Sequence, residues 1–339
     1  MAARRRKNVY PVDTRSLREA AARLRRGELV AFPTETVYGL GANALDEKAV
    51  AKIFAAKGRP KDNPLIVHVS DRKMLRKVVR RLPALANRLA ARFWPGPLTI
   101  VLPKKSSVLS LVTASLNTVA VRMPEGVARD LVRLAGVPIA APSANVSGRP
   151  SPTTAAHVAE DFPDVFVLDG GPTKHGVEST VVALDPPRIL REGAISGDFL
   201  RRMIPELRLA ASSRRVAPGK GAFSSKGNER RRAAISPGTR YVHYAPSRPL
   251  ILFLRESSLL AYAKTHPGAL ILCPTSLAPL FPKQRTLALG SSPEEIARGL
   301  FAALRTRRRG SELLVLAVRR RGLGRTIMDR LERAATRIV

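Results

Sequence analysis

The chain has 339 residues, 45% of them hydrophobic, with 59 Lys and Arg against 26 Asp and Glu for a formal net charge of +33. That apolar content excludes disorder of the whole chain, and the length calls for about two domains. No apolar run reaches the roughly 18–20 residues of a membrane span, and one cysteine, Cys273, excludes an intrachain disulfide framework and a cysteine-based zinc finger.

In chain order, the basic stretch at residues 1–7 has no apolar run after it, which argues against a secretory signal and for a cytoplasmic protein. A helix is expected from an N-cap at Thr14 to a stop at Gly27, then a buried strand at 29–32. Asp46 caps a helix that runs through Lys57, and Gly58 ends it in the left-handed conformation. A strand at 65–69 precedes a helix whose apolar face is Leu75, Val78, Val79 and Leu82. Further strands are expected at 98–102, 118–122, 138–141, 165–168, 179–182 and 189–191, with a helix at 127–135. This is an α/β pattern with a mixed sheet, assigned to residues 1–205.

Residues 206–248 differ in character. Gly, Ser and Pro with seven basic residues between Arg214 and Arg232 read as a linker. From 249 to 339 the alternation resumes: strands at 250–254, 269–272, 286–289 and 313–318, helices at 256–264, 293–307 and 325–337. That is a smaller, Rossmann-like α/β domain.

The familiar nucleotide and hydrolase signatures are missing. There is no G-x-x-x-x-G-K-[ST] and no G-x-S-x-G, and Gly322-Leu-Gly324 lacks the third glycine of a dinucleotide fingerprint. The five histidines fall at no metal-ligand spacing, so no protein-held metal is expected. What stands out instead is polar and cationic residues recurring where consecutive elements end. They are FPTETVYGLG (32–41), KGRPKDNP (57–64), VRMP (121–124), APSANVSGRPSP (141–152), GVEST (176–180) and LREG (190–193). Element ends converge on ligand crevices in open sheets. Taken singly, Lys57 and Arg59 also suit a helix C-terminus, Arg122 a strand end, Ser143 and Asn145 a turn. FWPGP (93–97), around Trp94, reads as a packing turn.

These segments, with KGRPKDNPLIVHV, FWPGPLTIVL, PIAAPSANVSGRPSPT and GVESTVV at their spacing, closely resemble the YrdC-like threonylcarbamoyl-AMP synthases. PGTRYVHYAP (237–246) and GLGRTIMDR (322–330) resemble the linker and C-terminal domain of the long, two-domain members. The resemblance implies a twisted mixed-sheet catalytic domain, a linker over its site and the Rossmann-like domain beyond. It implies the condensation of ATP, L-threonine and bicarbonate to threonylcarbamoyl-adenylate and pyrophosphate, with Mg²⁺ entering on ATP and no tightly bound cofactor. A downstream transferase would then pass the group to tRNA.

By the same resemblance, Lys57 and Arg59 supply the catalytic electrostatics. Arg59, Asn63, Thr118, Ser143, Asn145, Ser151, Arg191 and Tyr241 match ATP-side positions. Thr36, His68, Arg122, Ala141 and Ser179 match threonine-side positions, and His243 and Tyr244 support the linker. Such chemistry needs alignment and charge stabilisation, and no protein nucleophile. The linker before Ile235 is more basic than the family pattern.

The alternative from another class is an RNA-binding protein that uses the basic surface without making an adenylate; 45 of the 59 cations are Arg, which suits phosphate. It leaves Thr36, Ser143, Asn145 and Ser179 unexplained and lacks the strand-borne aromatics of RNA-binding sheets. Carbamoyl transfer in hydrogenase maturation, where related domains occur, calls for paired zinc-binding cysteines, which one cysteine does not supply.

Overall fold

The computed structural model describes residues 8–209 and 244–339. Strands β1 (Val9–Pro11), β2 (Val30–Phe32), β3 (Gly39–Asn43), β4 (Ile66–His68), β5 (Leu98–Pro103), β6 (Thr118–Arg122), β7 (Ile139–Ala140), β8 (Phe166–Asp169), β9 (Thr180–Leu184), β10 (Pro187–Arg191) and β11 (Arg208–Leu209) form one sheet. Their order is β1-β8-β2-β3-β7-β4-β6-β5-β9-β10-β11, with parallel and antiparallel neighbours. Helices α1 (Thr14–Arg25), α2 (Glu47–Lys57), α3 (Arg72–Val78), α4 (Ala84–Phe93), α5 (Ser110–Thr113), α6 (Gly126–Ala135), α7 (Ala155–Asp161) and α8 (Gly197–Met203) connect them.

Strand alternation divides the core. Val67, Ile100, Leu102, Val119, Val121 and Val182 pack with the α1, α2 and α6 residues in the largest apolar cluster. Their neighbours Ile66, Val101, Ala120, Val181 and Ala183 form a separate cluster on the other face, as the two-residue period of a strand requires. Ile66 carries that face into the cleft described below.

Several element bounds depart from expectation, each for a local reason. Asp13, not Thr14, caps α1, accepting from the Ser16 amide at 2.7 Å. The helix expected to continue to Leu82 stops at Val78. Val79 bridges to Lys104, the Arg80 amide donates to the Pro103 carbonyl, and Pro83 disfavours a helical residue before it. The segment after Tyr38, to which local sequence pattern assigns no element, is a strand, β3. A Cβ on Gly41 would stand 2.6 Å from the Phe32 ring and 2.8 Å from Ile139, so glycine here admits close approach between strands. Asp46 and Gly58 bound α2 as expected, Gly58 at φ +60°.

Beyond the first domain, β12 (Leu250–Phe253), β13 (Leu270–Cys273), β14 (Thr286–Ala288), β15 (Leu313–Leu316) and β16 (Arg337–Ile338) form a parallel sheet in the order β14-β13-β15-β12-β16. Helices α9 (Glu256–Thr265), α10 (Pro293–Leu304) and α11 (Leu323–Ala334) complete it. The last helix was expected to reach Arg337; it ends at Ala334, and Thr336 turns back to pair with Leu250, which frees 337–338 to add a strand.

Both faces of this sheet are covered, which accounts for its unbroken apolar strands. Ile251, Phe253, Ile271 and Leu314 pack beneath α9. Leu250, Leu252, Leu272 and Val315 pack with α10 and α11, and that same cluster takes in Val37, Val177 and Tyr244. The α10/α11 layer therefore joins the second domain to loops of the first. Among the described residues no helix is long and apolar enough to cross a membrane.

Candidate active site

A cleft of about 760 Å³, open mouth included, collects the polar segments singled out in the sequence. Thr36, Lys57, Arg59, His68, Arg122, Ala141, Ser143, Asn145, Ser151, Ser179, Arg191 and Tyr244 all line it. Asn63 and Thr118 do not. Asn63 is buried behind Arg59, which donates from Nε to its carbonyl at 3.1 Å, and Thr118 begins β6 opposite Pro103. Tyr241 and His243 lie outside the described residues.

One wall is built around Arg122, 3% exposed at the end of β6. Its Nε donates to the Gly96 carbonyl at 3.2 Å, its Nη1 to Thr36 Oγ1 at 2.9 Å, and its Nη2 faces Glu35 Oε1 at 2.5 Å. The Trp94 turn thus serves packing, with its indole donating to the Leu98 carbonyl, and it also presents the carbonyl that holds Arg122. His68 sits one strand away, paired in register with Arg122. Burial, then the Arg122 charge, depresses its pKa to about 3, so the imidazole is neutral; its Nδ1 has no hydrogen-bond partner. Ser179 Oγ lies 2.8 Å from Thr99 Oγ1 at the start of β9.

The opposite wall is cationic and hydroxyl-rich. Lys57, the last residue of α2 and 2% exposed, donates to the carbonyls of Ser143 (2.6 Å) and Asn145. Burial and then Arg59 drive its pKa well below the ordinary lysine value. Arg59 is braced by the carbonyls of Asn63 and Pro64. Within the 141–152 loop, Ser143 Oγ donates to Asn145 Oδ1 at 2.5 Å, and Asn145 Nδ2 donates to the Val146 and Arg149 carbonyls. Arg191, at the end of β10, donates to the Ser179 carbonyl at 2.9 Å.

Four charged residues at this site escaped the sequence reading. Glu35 and Glu178 are the acidic residues of FPTET and GVEST, and a carboxylate inside an otherwise apolar, hydroxyl-rich motif is the signal that each has a buried cationic partner. Those partners are Arg122 for Glu35 and Arg330 for Glu178. The second domain contributes Arg330 and also Arg305, whose guanidinium donates to the Pro150 carbonyl and pairs with Asp161 at 2.7 Å. Among the described residues, no group of three or more His, Cys, Asp or Glu is placed to hold a metal ion.

A twisted mixed α/β sheet whose cleft has a buried guanidinium, Arg122, on one wall and Lys57 and Arg59 on another defines an enzyme domain of the YrdC-like fold. Residues 22–193 match the Sua5/YciO/YrdC family model, described as telomere recombination, and residues 200–336 match that for the C-terminal domain of threonylcarbamoyl-AMP synthase. A threonylcarbamoyl-AMP synthase of Pyrococcus abyssi is 43% identical, covering 96% of this chain and 95% of the relative, and one of Bacillus subtilis is 42% identical, covering 94% and 92%. The crystal structure of the Pyrococcus abyssi Sua5 protein complexed with L-threonine superposes with a TM-score of 0.85 at 43% identity, over 98% of each chain. The chain belongs to the threonylcarbamoyl-AMP synthases, enzymes that transfer AMP in forming an adenylate.

Proposed function

We propose that this cleft binds L-threonine at the Arg122 wall and ATP at the Lys57/Arg59 wall, and joins them through bicarbonate. Bicarbonate takes up a proton and loses water to give carbon dioxide, and the neutral threonine amine adds to it, forming a carbamate and releasing a proton. A carbamate oxygen then attacks the α-phosphorus of ATP, the bond to the bridging oxygen breaks, and pyrophosphate leaves. The product is a mixed anhydride, threonylcarbamoyl-adenylate.

The observation that carries this reading is the uncommitted capacity of a buried guanidinium. Of the five N–H donors of Arg122, one on Nε and one on Nη1 are hydrogen-bonded within the protein and one on Nη2 faces Glu35, so one on each of Nη1 and Nη2 remains for a carboxylate entering from the cleft. Neutral His68, Thr36, Ser179 and the Ala141 backbone complete the threonine side. Asn63, Thr118, Ser143, Asn145, Ser151, Arg191 and Tyr241 are assigned to ATP, with Asn63 and Thr118 acting from behind the wall. Lys57 shapes the 141–152 loop through two carbonyls, and with Arg59 offsets phosphate charge as it shifts to the leaving group. Mg²⁺ enters as the counter-ion of ATP, held by phosphate oxygens.

Residues 1–205 form the catalytic domain in this reading, and 249–339 the Rossmann-like domain. We assign to the linker 206–248, of which 208–209 belong to β11 and 210–243 lie outside the described residues, the role of covering the nucleotide and excluding water from a labile adenylate, with His243 and Tyr244 as support. Shortening 205–245 is expected to weaken ATP binding. The product feeds a cytoplasmic threonylcarbamoyl transfer to tRNA, and the basic surface assists the handover by salt-sensitive contact.

The test incubates the full chain with ATP, Mg²⁺, threonine and bicarbonate and measures pyrophosphate with each component omitted in turn. Release is expected only from the complete mixture. Release indifferent to threonine refutes the synthase and favours the alternative, RNA binding without adenylate synthesis.

A further inference from the structure

Arg330, on α11 of the second domain, is 0% exposed and does not line the cleft, yet it reaches a residue that does. Its Nε and Nη2 donate to Glu178 Oε2 at 3.1 and 3.0 Å, and Nη2 also donates to the Glu192 carbonyl at 3.0 Å. Its Nη1 pairs with Asp329 at 2.8 Å. The other oxygen of Glu178, Oε1, accepts from Ser151 Oγ at 2.7 Å. Arg330 also lies 5.6 Å from the centroid of the Tyr244 ring, which stacks on Phe301 of α10. Thus one buried carboxylate links a helix of the second domain to Ser151, and both Ser151 and Glu178 face the cleft beside Arg191 and Tyr244.

The electrostatics give this link a direction. Burial alone would raise the Glu178 pKa, but the charges of Arg330 and then Arg191 bring it down to about 2, so the group is an anion at neutral pH. A buried carboxylate stripped of its partner is strongly unfavourable. Arg191 already acts on Glu178 beside Arg330, and without Arg330 it is left as the main charge opposing Glu178; a guanidinium more fully neutralised by Glu178 holds a polyphosphate less well.

We infer that Arg330 is a positioning residue for the ATP side of the cleft: by neutralising Glu178 from the second domain, it fixes Ser151 and lowers the share of the Arg191 charge that Glu178 takes up. The second domain is then part of the active-site electrostatics and not only a docked neighbour. This inference rests on the synthase reading and on the assignment of Ser151 and Arg191 to ATP.

Steady-state pyrophosphate release by the full chain tests it, with ATP and threonine varied separately. R330M is expected to raise the ATP KM by about tenfold or more and the threonine KM by less than about threefold. The double variant E178Q/R330M, which removes both charges, is expected to recover most of the ATP KM. D198N serves as the docking control. Asp198 accepts from the Gly322 amide at 3.0 Å and pairs with Arg325 at 3.1 Å across the same domain contact, away from the cleft lining. D198N is expected to leave both KM values within about twofold of wild type.

An ATP KM unchanged in R330M, or both KM values rising together, overturns the inference, as does a double variant no better than R330M. Should R330M fail to fold, R330Q takes its place: it removes the charge but keeps a hydrogen-bond donor toward Glu178, so the ATP KM should still rise by about threefold or more, and an unchanged value overturns the role. A wild-type chain without threonine-dependent release overturns the synthase reading itself. A competent wild type with an unaltered R330M overturns this inference alone.

Discussion

Glu35 Oε1 lies 2.5 Å from Arg122 Nη2, and each side chain is only 4% exposed. Such a pair brings little net stability, because removing two ions from water offsets their attraction. What it supplies is orientation. Glu35 and Thr36 from the turn after β2, and the Gly96 carbonyl from the turn before β5, hold the guanidinium plane from separate segments. A carboxylate ligand meets donors whose direction is already set, so less rotamer entropy is lost on binding.

Replacing Arg122 by Lys tests that pre-organisation. A lysine keeps the charge but concentrates it at one point, and cannot satisfy Gly96, Thr36 and Glu35 together while facing a ligand. R122K is expected to raise the threonine KM by about tenfold or more and the ATP KM by less than about threefold. Initial rates of pyrophosphate release with one substrate varied at a time decide the matter. An unchanged threonine KM removes Arg122 from the threonine side.

Lys57 and Arg59 should separate in stability while agreeing in rate. Lys57→Met leaves the carbonyls of Ser143 and Asn145 without the ammonium that holds them, at about 1–3 kcal/mol for an unsatisfied buried group. Arg59→Ala removes a half-buried side chain whose partners include the Asn63 and Pro64 carbonyls, and the melting temperature should move less. Both should lower kcat by about 10²–10³-fold, the scale of a lost electrostatic donor. Wild-type turnover in either variant takes that residue out of the catalytic electrostatics.

The cleft was legible because its residues lie at the ends of elements that local pattern defines. Asp46 and Gly58 mark where α2 begins and ends, which places Lys57 and Arg59 at its C-terminal end, and the apolar runs read as strands 65–69 and 118–122 carry His68 and Arg122 at the ends of β4 and β6. What local pattern could not give was set by distant chain. Local pattern assigns β3 no element; its Gly41 is explained by the Phe32 ring and Ile139 packed against it. Arg305 and Arg330 reach Pro150 and Glu178 across 155 and 152 residues, a relation that no periodicity records. Val9–Pro11 became a strand only because β8 offers it an edge.

The Gly41 contact is measurable against its neighbour two residues earlier. Gly41→Ala forces a methyl to 2.6 Å from one buried side chain and 2.8 Å from another, both fully buried, and should cost about 1–3 kcal/mol as overpacking. At Gly39 the nearest atoms stand at 3.5 Å, ordinary contact, so Gly39→Ala should change stability by less than about 1 kcal/mol. Urea unfolding midpoints of the two variants give the comparison. Equal shifts dispose of the close-approach account of β3.

Acid should weaken the fold in two windows, and His68 controls the first. Its ordinary pKa of 6.5 falls to about 3 in the folded state, through burial and then the Arg122 charge. Between those values the unfolded chain holds a proton that the folded chain refuses, so stability rises with pH there. The contribution is complete above about pH 6.5 and is lost progressively as pH falls toward 3, by up to about 1.4 kcal/mol per pH unit for one proton. His175, lowered by burial and then by Lys174, adds a slope of the same sign. Glu178, brought from 4.5 to about 2 by Arg330 and Arg191 against its burial, adds a second loss as pH falls below about 4.5. Replacing His68 by Gln removes the first titration and keeps a side chain able to hydrogen-bond. Urea midpoints at about pH 7, 6 and 5 should then fall less steeply for H68Q than for wild type. Parallel slopes would mean that His68 takes up its proton in the folded state, which the buried guanidinium beside it opposes.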